Sequence, residues 1–492
     1  MQGRWRRVSS MRLSPRRRPR ALGMREAAPR RGQTPPAMPV SDTDDQREEG
    51  TTMRRVWRRT GTALGVAAVG ALLASGVGGA ASGPASHPSA LAIQPTALGS
   101  DAQSGHIFLA GVSLTPQRQA SVLMLNGQTG QVLHTTVFTG TARPTWLAID
   151  AATGRVFVTL IEGGASSYAL ATLETTTGAL LRTAPVGLPV ALGPKSPTVL
   201  QSVVLSRARV AVDAAAGRVV TLNPMSVNNQ PHSSLSLLDA RTGAVTRTVA
   251  LSITDSPDAL AIDSQTGNAF ITTTTDKVLT YSPARGRIIQ STTVAPRPAA
   301  LAVDGAAGRV LVASSGPPSA ISILDTHNGQ LLATIPLSTP LFLSPYGVAV
   351  DEATGRAFVL NRGTYNPATG EPTGQGSVLV LDTRAGRLLR TVTLGTDPGF
   401  VAVDAQRGRV FVLNGGTASN VNGVVHPHDD GSISVLDAAT GAITRTIPAG
   451  GNPGLAAVEP RSGRLTVVGM RSAHGPRTQP MGGYMFVLDA GQ

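Results

Sequence analysis

Two imidazoles and two carboxylates fall together at His426-Pro-His428-Asp429-Asp430, and these are donor types that ligate zinc or a transition metal. A solvated loop rich in turn formers explains the same composition, and the proline between the histidines fixes an extended backbone without demanding an ion. No metal and no cofactor are therefore expected. If an ion did bind, Asp430 would join the set, and His232 and His474 on other long polar stretches would be the further imidazoles. Asn223, Asn361 and Asn414 end three equivalent apolar runs. An Asn there either hydrogen-bonds a ligand or tolerates the left-handed backbone of a turn leaving a strand. Arg362 follows Asn361 and suits a carboxylate or phosphate, and Tyr365 and Tyr484 would offer stacking surface. The ligand-binding candidates are Asn223, Asn361, Arg362, Asn414, His426, His428 and Asp429, and no residue is nominated as catalytic.

Signatures of catalysis are missing from the sequence. There is no Gly-x-Ser-x-Gly elbow and no His-Glu-x-x-His. The absence of cysteine excludes disulfides, thiolate metal sites and cysteine nucleophiles. Asp429 and Asp430 are adjacent, so they cannot flank a scissile bond from opposite sides.

The elements that position these residues come from a repeat. An apolar run, an acidic residue, a few variable residues, a glycine and a second apolar run recur, as in Leu147-Ala-Ile-Asp150-Ala-Ala-Thr-Gly154-Arg-Val-Phe-Val158 and Val401-Ala-Val-Asp404-Ala-Gln-Arg-Gly408-Arg-Val-Phe-Val412. The acidic position falls at Asp101, Asp150, Asp213, Asp263, Asp304, Asp351, Asp404 and Glu459. Each copy is followed by a second hairpin, such as Leu237-Leu-Asp239-Ala-Arg-Thr-Gly243. Asp starts a turn by bonding the backbone two residues on, and Gly closes it with positive φ. The acids are therefore read as turn formers. Two hairpins per repeat predict four-stranded antiparallel blades, and that period belongs to a β-propeller.

These repeats resemble the YVTN/YncE-like propeller family. The namesake position reads Phe358-Val-Leu-Asn361, Phe411-Val-Leu-Asn414, Val220-Thr-Leu-Asn223 and Phe270-Ile-Thr-Thr273, although the namesake tetrapeptide itself never appears. The resemblance covers nearly all of residues 95–492. It implies an all-β propeller and leaves function open, because the family includes binding proteins, surface proteins and relatives of lactonases. Eight blades are expected, with seven as the alternative. The last repeat lacks an outermost strand, which residues 89–94 would supply. Trp5, Trp57 and Trp146 are the only tryptophans, so the repeated tryptophan docking of a quinone-cofactor propeller is missing.

The short Asp-x-x-x-Gly and Asp-x-Thr-Gly turns should share one face. The variable connections should share the other, which becomes the expected binding face because loops on a rigid scaffold carry function. Long connections at 223–233, 362–376, 415–431 and 471–483 belong there.

Residues 53–82 place Arg54, Arg55, Arg58 and Arg59 before an uncharged run from Thr60 to Ser82, the layout of an export signal. Cleavage near Ala80–Ala85 is expected, with an uncleaved anchor as the alternative. Residues 1–52 read as a disordered Arg- and Pro-rich tail or as an over-early start, and residues 83–94 as a linker. The net charge of +14 is concentrated in residues 1–59, where 16 Arg face 6 acidic residues, leaving +4 for the rest. No nucleic-acid partner is expected. The sequence thus reads as an exported or cell-surface, monomeric, non-catalytic propeller that binds a protein, glycan or small ligand, touching membrane only through residues 60–82 if uncleaved. A lactonase-like or other metal-assisted hydrolase is the alternative.

Overall fold

The computed structural model describes Ser89–Asp489 apart from residues 163–166, 190–202, 206, 228–229, 252–255, 338–346, 367, 370, 422–423, 428–430 and 471–482. The chain forms eight four-stranded antiparallel blades. Their first strands are Ile93–Ser100, Ala142–Asp150, Arg209–Asp213, Pro257–Ile262, Pro298–Asp304, Val348–Asp351, Pro398–Asp404 and Asn452–Val458 for blades 1 to 8. Each first strand packs against its two neighbours, and the cycle closes from blade 8 back to blade 1. The arrangement is an eight-bladed propeller rather than a seven-bladed one.

Residues 89–94 are divided between two blades. Ser89–Leu91 pairs with Gly483–Leu488 as the outermost strand of blade 8, while Ile93 and Gln94 begin blade 1. The ring is therefore shut by the two ends of the domain, and the edge of blade 8 is covered where an open edge would invite pairing.

Second strands are buried along their length because both sheet faces meet a neighbouring blade. Phe108, Phe157, Phe270, Phe358 and Phe411 occupy the same place in five of them and are fully buried. A chain with so few aromatic residues thus spends most of its nine Phe on one structural position.

All eight repeated acids are buried at the turn joining the first two strands. Asp263 shows the pattern. Its carboxylate accepts Gln265 N at 3.1 Å, Thr266 N at 3.3 Å and Thr266 Oγ1 at 2.7 Å, and its carbonyl accepts Gly267 N at 2.7 Å, with Gly267 at φ 70°. The residue after that glycine often stitches blades together. Arg155 reaches the carbonyl of Arg241 in the next blade, Asn268 those of Thr326 and His327, Arg356 that of Ala439, and Arg464 that of Gln128 across the ring closure.

Several turn acids are held below the usual carboxylate range. The Thr242 and Thr440 hydroxyls are the main cause at Asp239 and Asp437, and the Ala385 N–H at Asp382. At Glu459 burial pushes upward, but bonds from Ser462 and Arg461 outweigh it. A depressed folded pKa gives stability that is complete above the unfolded value, about 4, and fades as pH falls through the folded one. The urea midpoint is expected to hold from neutrality to that range and then decline. A midpoint already falling between pH 7 and 5 would contradict this origin.

Candidate functional site

First strands run from the variable face to the turn face, so their opening residues ring the mouth of the central channel. Two polar clusters lie there. They belong to blades 2 to 4 and to blades 6 and 7, and blade 3 faces blade 7 in a ring of eight.

The first cluster is built on Arg209, the opening residue of the blade 3 first strand. Its guanidinium lies 4.1 Å from the ring centroid of Trp146 in blade 2. Its Nε donates to the Asp258 carbonyl of blade 4 at 3.1 Å, and a terminal nitrogen approaches Asp258 Oδ1 at 3.5 Å. The Arg209 side chain is 6% exposed and that of Asp258 43%. A cation this deep is retained by the indole face and the bonds to Asp258, and the half-exposed carboxylate remains available to a ligand hydroxyl or cation. Burial, stacking and pairing here join three inner strands that are distant in sequence. The tryptophan was visible in the sequence, but its partner was not.

The second cluster holds the long connection of blade 6 against blade 7. Arg362 Nε donates to Asp397 Oδ1 at 2.6 Å, and the Tyr365 hydroxyl donates to the same oxygen. The guanidinium lies 5.2 Å from the Tyr365 ring centroid, and an isolated bridge joins Tyr365 to Pro372. Burial, and then the bond to the carboxylate, push the Tyr365 phenol upward. It therefore acts as a donor at neutral pH and not as a base.

Asp397 sits at φ 54° directly before Pro398, a backbone region that costs a non-glycine residue about 1–3 kcal/mol. Arg297, at the matching place before Pro298, has φ 55°. Asp397→Gly and Asp397→Ala both remove the carboxylate, but only Gly relieves the backbone. Gly is expected to be the more stable of the two by about 1 kcal/mol, measured by urea denaturation. Equal stabilities would mean that the backbone carries no strain.

The sequence-derived candidates are dispersed. Asn223 and Asn414 are buried rather than lining the mouth. Asn223 Nδ2 donates to Ser236 Oγ at 3.3 Å, and Asn414 Nδ2 to Ser432 Oγ and Ser434 Oγ at 3.1 and 3.0 Å. Asn361 is half-buried, and its Oδ1 accepts Gly363 N at 3.3 Å. None of the three has positive φ, so left-handed backbone does not explain them. Arg362 is engaged by Asp397. His426 lies on the hairpin Ala418–Val421/Val424–Pro427, opposite Ser419. His428, Asp429, Asp430 and His474 lie outside the described residues. His232 is half-buried, with its backbone N–H on the Met225 carbonyl. Tyr484 is buried in blade 8 and stacks on Phe486 at 5.9 Å, so it is no wall for a ligand. Among the described residues no group of three or more His, Asp or Glu side chains is placed to hold a metal.

At the turn end of the channel a cavity of about 390 Å³ opens between blades 7, 8 and 1, walled by Leu98, Ala402, Val403, Ala457 and Val458, with Asp404 at its edge. Asp404 is engaged by Arg409 at 2.7 Å.

No protein-family model matches the chain, and no curated protein does. Solved structures do. Sqt1 of Saccharomyces cerevisiae aligns at 11% identity with a TM-score of 0.53, over 81% of this chain and 96% of that one. The dihydro-heme d1 dehydrogenase NirN, in complex with DHE, aligns at 14% identity with a TM-score of 0.49, over 73% of this chain and 66% of that enzyme, just under two thirds of its length. BamB of Moraxella catarrhalis aligns at 12% identity and 0.39, over 65% of this chain and 82% of that one. At these identities the likeness is one of architecture: the chain is similar to known β-propellers in fold.

Proposed function

We propose that this chain is an exported, non-catalytic propeller of the YVTN/YncE-like kind that binds a protein, glycan or small ligand at the channel mouth of its variable face. The observation that carries the reading is the division of labour between the faces. The repeated acids of the turn face are spent on their own turns and on neighbouring blades. The variable face brings Trp146, Arg209 and Asp258 together on one side of the mouth and Arg362, Tyr365 and Asp397 on the other. An indole, two guanidiniums and two carboxylates around one opening form a recognition surface.

The test is a binding screen of the full chain against an immobilised glycan array and a panel of small carboxylates and phosphates. Asp258→Asn and Trp146→Phe serve as site variants. A hit weakened tenfold or more by either variant supports the mouth as the site, whereas a hit indifferent to both moves binding elsewhere. Turnover of lactones that is lost in a His426→Ala/His428→Ala double variant would replace this reading with the hydrolase. Export is tested by fractionating cells and sequencing the mature N-terminus, which should fall near Ala80–Ala85.

A further inference from the structure

We propose that the turn face is a second functional surface, one that lies on an anionic lipid bilayer. The inference does not depend on what the variable face binds.

The first observation is what that face shows to solvent. The near balance of charge in the domain sequence hides a separation by depth. By whole-residue exposure only Glu352 and Asp489, both on the turn face, are exposed among the described acidic residues, while on the variable face the Asp258 and Asp276 side chains are 43% and 40% exposed. The arginines of the turns and of the outermost strands behave oppositely, with Arg182, Arg241, Arg285, Arg287, Arg384 and Arg387 exposed. First-turn carboxylates are thus buried and second-turn ones half-buried, while most of the exposed charges of the turn face are guanidiniums.

The second observation is where apolar side chains remain in water. Among the described residues the exposed large aliphatic side chains all lie on outermost strands. All except Val137 follow the second turn of their blade closely, at the turn-face end. Leu133, Leu181, Val245, Leu332, Leu389 and Ile443 represent blades 1, 2, 3, 5, 6 and 7 and are 36–49% exposed. Scattered exposed aliphatics need no explanation, but these recur at one level around the rim, interleaved with the arginines. Arginine beside leucine suits an interface where cations meet lipid phosphates and short apolar side chains enter the acyl boundary. A single-stranded nucleic acid would call instead for aromatic stacking platforms, and the exposed rim residues are aliphatic.

The third observation is chain direction. Gly483–Leu488 runs toward the turn face, and Ser89 pairs with Met485 while Leu91 pairs with Gly483. Ser89–Leu91 therefore runs away from the turn face, and the chain enters the propeller from that side. In sequence only residues 83–88 separate this strand from the uncharged run that ends at Ser82.

The absence of cysteine allows a direct test in the full chain. One fluorophore is placed at Arg241→Cys on the turn face and, separately, at Gln117→Cys on the variable face. Quenching by an acceptor-labelled headgroup is read in phosphatidylcholine vesicles with and without phosphatidylglycerol. The expected result is quenching at position 241, stronger with phosphatidylglycerol, and little at 117. Arg182→Gln with Arg287→Gln should weaken vesicle binding roughly tenfold, and Leu181→Ser with Leu332→Ser should also weaken it. All four side chains are exposed, and near-ultraviolet circular dichroism checks that each variant is folded. The Arg-rich residues 1–59 are common to every variant, so the differences report on the turn face. Equal quenching at the two positions, or stronger quenching at 117, overturns the proposal. So does binding lost with the arginines but indifferent to the leucines, which would describe a general polyanion surface.

Discussion

Leu91→Asp is expected to destabilise the propeller by about 4 kcal/mol or more. Leu91 is 8% exposed and packs in one core cluster with Ile93, Ile107, Leu109, Leu455, Val468 and Met485. Truncating a buried leucine costs about 2–5 kcal/mol by itself, and a carboxylate in that place adds desolvation. The strand it belongs to has only three ladder pairs, so it has little else to hold it. Its loss would also bare the edge of Gly483–Leu488, and an open edge recruits other chains. Urea denaturation should show the lower midpoint, and light scattering should show self-association. Ser89→Asp, on an exposed side chain of the same strand, is the control and should change the midpoint little. If the two substitutions behave alike, the closing strand does not hold the ring shut.

The second large effect is expected at a turn. Asp263→Ala should cost about 3 kcal/mol, because it leaves the Gln265 and Thr266 N–H groups and the Thr266 hydroxyl without their acceptor, and a buried donor deprived of its partner costs about 1–3 kcal/mol. Asp263→Asn keeps an acceptor oxygen and should cost about 1 kcal/mol, since the charge-assisted part of each bond is lost. Any ligand bound at the channel mouth should keep its affinity in both folded variants, because this turn lies on the opposite face. A variant of normal stability with abolished ligand binding would make the turn acids functional rather than structural.

Most of the architecture is readable in the sequence. The repeated acid and glycine marked each inner turn, and the incomplete last repeat pointed to closure by residues near the N-terminus. The site was far less readable. Asn223, Asn361 and Asn414 sit at equivalent sequence positions, yet two of them are buried against strand serines, because the preceding blade lies over the ends of those strands, with Gly187 and Gly395 against them. Tyr484 reads as a loop aromatic and is packed beneath Gly451 and Gly469. Arg362 suits a ligand's anion by residue type, yet it holds Asp397, a carboxylate 35 residues away that no motif marks.

The sequence by itself determined the blade, its turns, the number of copies and the order in which variable connections occur, because these depend on periodicity and on interactions a few residues long. Only the tertiary structure decided which side chains meet. Trp146, Arg209 and Asp258 come from three blades, and they converge because closing the ring brings inner strands side by side whatever their separation along the chain. The surface charge was decided in the same way. A count of acids and arginines says nothing of depth. Carboxylates that cap turn N–H groups are drawn inward, while long arginine side chains reach across blade boundaries and end in water.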